Sequence, residues 1–101
     1  MYEIKYHPLI EKDLKQLNNS IRIEVFKKIK KIQKSPELGE ALGNKHGMNL
    51  AGLKKMYVAK KQIRIVYEII NKILVVKVLA IGKREDMEVY KQAELRSMDI
   101  N

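Results

Sequence analysis

The chain has 101 residues, 46% of them hydrophobic, and a formal net charge of +9 with 33% charged residues. At this length one domain can bury ~60–70% of its extended-chain surface, so a folded core is expected over 1–101, with no second domain and no disorder. The absence of cysteine excludes a disulfide framework, a thiolate nucleophile and a cysteine zinc site, and the basic balance calls for acidic partners.

Tyr2, Ile4 and Tyr6 alternate with Glu3 and Lys5, the pattern of a first strand. The start lacks the basic-then-apolar layout of a signal peptide, and no apolar run is long enough for a bilayer, so a cytoplasmic protein without a membrane is expected. Pro8 suits a first helical turn, and Ile10, Leu14 and Leu17 predict a helix from about Pro8 to Leu17. Asn18, Asn19 and Ser20 supply turn and cap chemistry. After them Ile21, Val25, Ile29 and Ile32 form the apolar stripe of a second helix that ends near Pro36. Lys27, Lys28, Lys30, Lys31 and Lys34 occupy the rest of its circumference.

Between Pro36 and Gly52 the periodicity fades, and Gly39, Gly43, Gly47 and Gly52 suggest a loop with one helical turn. Three strands are then predicted, Leu53–Lys60, Gln62–Ile70 and Ile73–Ile81. Their connections are too short for parallel crossovers, so they form an antiparallel meander. Gly82 marks the exit, and Glu85 to about Met98 reads as a short closing helix. The fold class is therefore α+β: an N-terminal strand, a two-helix hairpin, and a three-stranded meander completing a four-stranded sheet, with a short C-terminal helix. The hairpin covers one face; the other is expected to be open.

In the middle strand Ile63, Ile65, Tyr67 and Ile69 share a face, which turns Arg64 away from the hairpin. If Lys60 and Arg64 flank a turn of about three residues, both point to the open face, and Lys54 shares the alternation of Lys60. Arg84 leaves the last strand, and a closing helix folded back brings Tyr90 to the same place. Arginine grips phosphate in two places at once, and a phenol among several cations becomes more acidic because positive charge favours phenolate. Taken singly, an exposed arginine more often pairs with a neighbour such as Glu68, and Tyr90 more often packs on the sheet. Glu85, Asp86 and Glu88 fit the first turn of a helix. His46 lies in the glycine-rich loop, and His7 beside Pro8 reads as a helix-start residue. Two distant histidines without an ordered set of acids argue against a metal site.

The element order, together with Leu53-Lys54 through Tyr57, Arg64-Ile65-Val66-Tyr67, Ile81-Gly82-Lys83-Arg84-Glu85 and Glu88-Val89-Tyr90, resembles the RelE/ParE superfamily of type II toxin–antitoxin toxins, the RelE branch above all. The resemblance implies a ribosome-dependent endoribonuclease that cuts A-site mRNA without metal or cofactor. It further implies a cognate acidic antitoxin as partner. Arg64, Arg84 and Tyr90 match the family's site. Lys60 matches the second of two active-site lysines, while Val58 stands at the first, beside a hairpin that looks shortened. Lys54, Lys55, Lys61 and His46 are the candidates to supply the missing charge, and Lys83 joins the RNA-binding set. The expected chemistry is attack of a 2′-hydroxyl on the adjacent phosphate, with Tyr90 or Lys60 as base. A ParE-like gyrase inhibitor and a non-catalytic basic RNA- or ribosome-binding module are the alternatives.

Overall fold

A computed structural model describes residues 1–45, 47–83, 85 and 87–98. Along the chain run β1 (Glu3–Tyr6), α1 (Ile10–Lys15), α2 (Asn19–Lys34), a single 3-10 turn at Pro36–Leu38, β2 (Glu40–Lys45), β3 (Met48–Val58), β4 (Ile63–Ile70), β5 (Val75–Lys83) and α3 (Glu88–Ser97). The strands form one sheet in the order β1-β5-β4-β3-β2. β1 lies parallel to β5, and the remaining neighbours are antiparallel.

Local chemistry explains the helical ends. The Asn18 side chain accepts the Ile21 backbone N–H at 3.0 Å, satisfying one of the amides that a helix start leaves without a partner. Pro36 disfavours helical geometry at Ser35, and α2 stops at Lys34. His7 is buried, and its Nδ1 accepts the Leu9 backbone N–H at 3.1 Å, fastening the turn into α1.

The sheet is apolar on both faces. On one, Val25, Ile29 and Ile32 of α2 pack with Ile10 of α1 against Ile65, Tyr67, Val76 and Val78. On the other, Val89, Tyr90 and Ala93 of α3 cover Leu50, Leu53, Val66, Leu79 and Ala80. The face opposite the hairpin is thus covered along α3, which corrects the expectation of an open surface. The α+β order stands, but the sheet has five strands, not four. The added strand, β2, runs through the stretch whose glycines suggested a loop. Gly43, at φ +61°, sits where the β2–β3 register shifts, so it marks an irregularity within a hairpin.

Two contacts tie the layers together. Arg96 of α3 donates from Nη1 to Asp13 of α1 at 2.7 Å and to the Leu79 carbonyl at 3.0 Å, and from Nη2 to Asp13 at 3.1 Å. The same carboxylate accepts the Ile81 backbone N–H at 3.0 Å. Tyr67, fully buried, donates its hydroxyl to the Pro36 carbonyl at 2.6 Å and anchors the turn between α2 and β2. Burial pushes its pKa up to about 12. A Cβ at Gly39 would collide with that hydroxyl, so the side chain there must be absent.

Candidate active site

The pairing register decides which cations meet. Tyr57 lies opposite Arg64, and Arg64 opposite Gly82. Lys55 lies opposite Val66, which belongs to the α3 side of the core, so Lys55, Tyr57, Arg64 and Gly82 share the α3 face. Gly82 allows close approach there: a Cβ on it would stand 3.0 Å from Cβ of Val89. That proximity brings the first turn of α3, and Tyr90 with it, down beside Arg64.

The guanidinium carbon of Arg64 stands 4.5 Å from the centroid of the Tyr90 ring and 6.0 Å from that of Tyr57. Such stacking favours arginine because its flat cation is weakly hydrated and rests on the electron-rich ring face. Arg64 is only 8% exposed, and its Nε and Nη1 have no hydrogen-bond partner among the described residues. A buried guanidinium with free donors is costly unless an anion satisfies it. Lys55, 7% exposed, donates from Nζ to the Tyr57 hydroxyl at 2.8 Å and pairs with Glu40 of β2 at 3.3 Å. Burial works to lower the Lys55 pKa, but the bonds to Tyr57 and Glu40 and the neighbouring Tyr90 hydroxyl outweigh it, and the net direction is up. Lys55 therefore keeps its proton. The bond from Lys55, reinforced by Arg64 against partial burial, brings the Tyr57 phenol down to about 8.

Other expected site residues fall elsewhere. Lys54 lies opposite Tyr67, on the hairpin side, and donates to the Gly39 carbonyl at 3.3 Å. Lys60 and Lys61 lie in the four-residue turn between Val58 and Ile63, at φ +55° and +69°, and border a cleft against the lysines of α2. Lys60 is thus not a strand neighbour of Arg64, and Val58 is a core residue at 4% exposure. Lys83 pairs with Ile63 and borders the α1–α2 side. Tyr90, at 2% exposure, is a buried platform beneath Arg64, which corrects its expected role as an accessible proton acceptor. Arg84 and His46 lie outside the described residues. Sequence reasoning passed over Tyr57 as a functional group, although its place at seven residues before Arg64 across a four-residue turn carried the signal.

β2 pairs with β3 only as far as Lys55, so Tyr57 stands at an edge of the sheet. It borders both the Arg64 cluster and the cationic cleft of Lys27, Lys31, Lys34, Lys60 and Lys61, whose acidic member is Glu24. The arrangement can hold a phosphate against Arg64 and Lys55, offer a proton carrier beside it, and extend positive charge along an adjoining strand of polyanion.

Residues 4–93 match the family model of ParE-like toxins of type II bacterial toxin–antitoxin systems. The chain is 32% identical over 98 residues to a RelE-like toxin protein of Escherichia coli, covering 94% of this chain and 96% of that one. It is 35% identical over 88 residues to the mRNA interferase toxin RelE of E. coli K12, covering 84% and 85%. A double arginine-to-alanine mutant of E. coli RelE in the free state superposes with a TM-score of 0.74 at 25% identity, over 97% of this chain and 98% of that chain. The toxin in the intact E. coli RelBE toxin–antitoxin complex gives 0.64 at 25% identity, over 82% and 96%. The chain belongs to the ParE-like toxin family, within the RelE/ParE superfamily of toxin–antitoxin toxins.

Proposed function

We propose that this protein is a ribosome-dependent mRNA endoribonuclease that works in the cytoplasm without metal and is restrained by a cognate acidic antitoxin. The observation that carries the reading is Arg64: a buried guanidinium with two free donors, stacked on Tyr90 and flanked by Lys55 and Tyr57. A scissile phosphate supplies what those donors lack once the side chains that enclose them move aside. The extra negative charge of the phosphorane-like transition state strengthens the same contacts, which is how a preformed charge clamp accelerates a reaction. Arg84 joins the clamp through the family resemblance alone. Such a set is sparse for a free-standing nuclease, and the ribosome supplies orientation of the mRNA, a contribution of up to ~7–11 kcal/mol. The lysines of α2 and the Lys60–Lys61 turn contact RNA backbone outside the reacting phosphate.

The RelE relative named an mRNA interferase and the RelBE complex support this reading. With a net charge of +9, the chain suits an acidic antitoxin segment that competes for the same surface or displaces α3. Displacement would strip Tyr90 from Arg64. Primer extension on programmed ribosomes tests the activity: new 5′ ends at A-site codons are expected with the wild type, with a loss of ~10²–10³ in rate for Arg64→Ala. Intact message at all protein concentrations refutes the reading. A second reading, inhibition of DNA gyrase, follows from the resemblance to the ParE branch, and for it the same extract would show DNA breaks and uncut mRNA.

A further inference from the structure

We propose that the Tyr57 hydroxyl is the general base of this cleavage, accepting the 2′-hydroxyl proton as the O2′–P bond forms. The inference rests on the ribonuclease reading above and assigns its proton transfer. Tyr57 lies opposite Arg64 in the β3–β4 register, at the sheet edge between the guanidinium and the cationic cleft. A phosphate bonded to the Arg64 guanidinium would sit within the same cluster as the phenol, because Tyr57 pairs with Arg64 in the register. The other described members of the cluster are unsuited to the task. A guanidinium is unsuited to accepting a proton. Lys55 is buried, bonded to Tyr57 and Glu40, and shifted toward retaining its proton. Tyr90 lies beneath Arg64, sealed from solvent.

Charged groups from several elements surround Tyr57, and Lys55 and Arg64 bear on its acidity. Lys55 on its own strand and Arg64 on β4 favour phenolate, burial opposes them, and Glu40 on β2 pairs with Lys55. Across the cleft stand the lysines of α2 with Glu24, and Lys60 and Lys61 in the turn. The excess is cationic, in keeping with a phenol that titrates near 8, so that a useful fraction is ionised at neutral pH.

The step balances without an external reagent other than water. As O2′ bonds to phosphorus, its proton passes to the Tyr57 oxygen. The P–O5′ bond breaks, its electron pair leaves with O5′, and O5′ takes a proton from water. The hydroxide so formed removes the proton from Tyr57 and restores the phenolate, leaving a 2′,3′-cyclic phosphate and a 5′-hydroxyl. Lys55, bonded to the same oxygen, steadies the phenolate between turnovers.

Two measurements test this. Ultraviolet titration of the free protein should show a phenol ionising near pH 8 that disappears in Tyr57→Phe. Single-turnover cleavage on programmed ribosomes should rise with pH to a plateau above that value. Tyr57→Phe should bind ribosomes normally, cleave ~10²–10⁴ more slowly and lose the rising limb. Difluorotyrosine at position 57, a more acidic phenol, should move the limb to lower pH by as much as it moves the titration. No phenol ionising below about pH 9, or cleavage by Tyr57→Phe at the wild-type rate and profile, overturns the assignment alone. Absence of cleavage by the wild type overturns the ribonuclease reading and the base together.

Discussion

The Arg64 guanidinium lies 4.5 Å from the ring centroid of Tyr90, twenty-six positions along the chain, with two of its nitrogens buried and free of hydrogen bonds among the described residues. Helix α3 is therefore both a lid over the second core face and the platform that aims a cation. A guanidinium in that state is costly in isolation, and an anion would satisfy it.

Replacing Arg64 by methionine separates the two effects. The side chain can still pack on Tyr90, but the unpaired charge is gone. Urea unfolding should show stability unchanged or raised by up to about 2 kcal/mol, while cleavage falls by ~10²–10³. A loss of stability like that of a core truncation would instead make Arg64 a structural residue.

The opposite outcome is expected at Asp13. Its side chain accepts from Arg96 and from the Ile81 backbone, and joins α1, α3 and β5. Asp13→Asn strands a buried guanidinium and should cost about 3–5 kcal/mol in denaturant unfolding. Asp13→Leu combined with Arg96→Met should recover much of that loss, because both charges are then removed.

Alkaline pH should expose Tyr67. Its pKa is raised to about 12 in the folded protein against 10.0 for the free group, so its contribution is complete below pH 10. It is lost as pH climbs from 10 to 12, by up to about 3 kcal/mol. Half-exposed Tyr6, also raised by burial, acts in the same direction. Tyr57 acts oppositely: its folded pKa is depressed to about 8, so its contribution grows between pH 8 and 10 and vanishes below 8. Urea midpoints should thus rise gently, then fall. Tyr67→Phe should flatten the fall and cost about 1 kcal/mol at neutral pH through the lost bond to Pro36.

Lys60 and Lys61 test the cationic cleft. Both have positive φ, which asparagine tolerates better than most residues, so Lys60→Asn with Lys61→Asn should leave the fold intact. Ribosome affinity should fall, and the slope of log affinity against log salt should shrink by about 1.4–1.8. An unchanged slope would place the RNA elsewhere.

Most of the scaffold could be read from residue order because its causes are local. Asn18 before Ile21, the stripe Val25–Ile29–Ile32 and the alternation through Ile63–Ile69 each carry their own periodicity. β2 was hidden, since Gly43 at the register shift looks like a loop residue when its partner strand is not in view. The candidate site was legible in part. The alternation of β4 turned Arg64 away from the hairpin, and Tyr90 was placed beside it, but Lys54 and Lys60 were given the face that belongs to Lys55 and Tyr57. A strand side chain reverses face with every one-residue shift, so an error in the length of one turn exchanges the whole set.

Residue order alone determined the kinds and succession of the elements apart from β2, the surplus of positive charge and the direction of Arg64 from its own strand. The folded molecule decided which cations stand with Arg64, that the Tyr90 ring lies buried beneath it, and that Tyr57 faces it across the sheet. These depend on pairing between segments far apart in the chain, where the β3–β4 turn and the docking of α3 on Gly82 set the register.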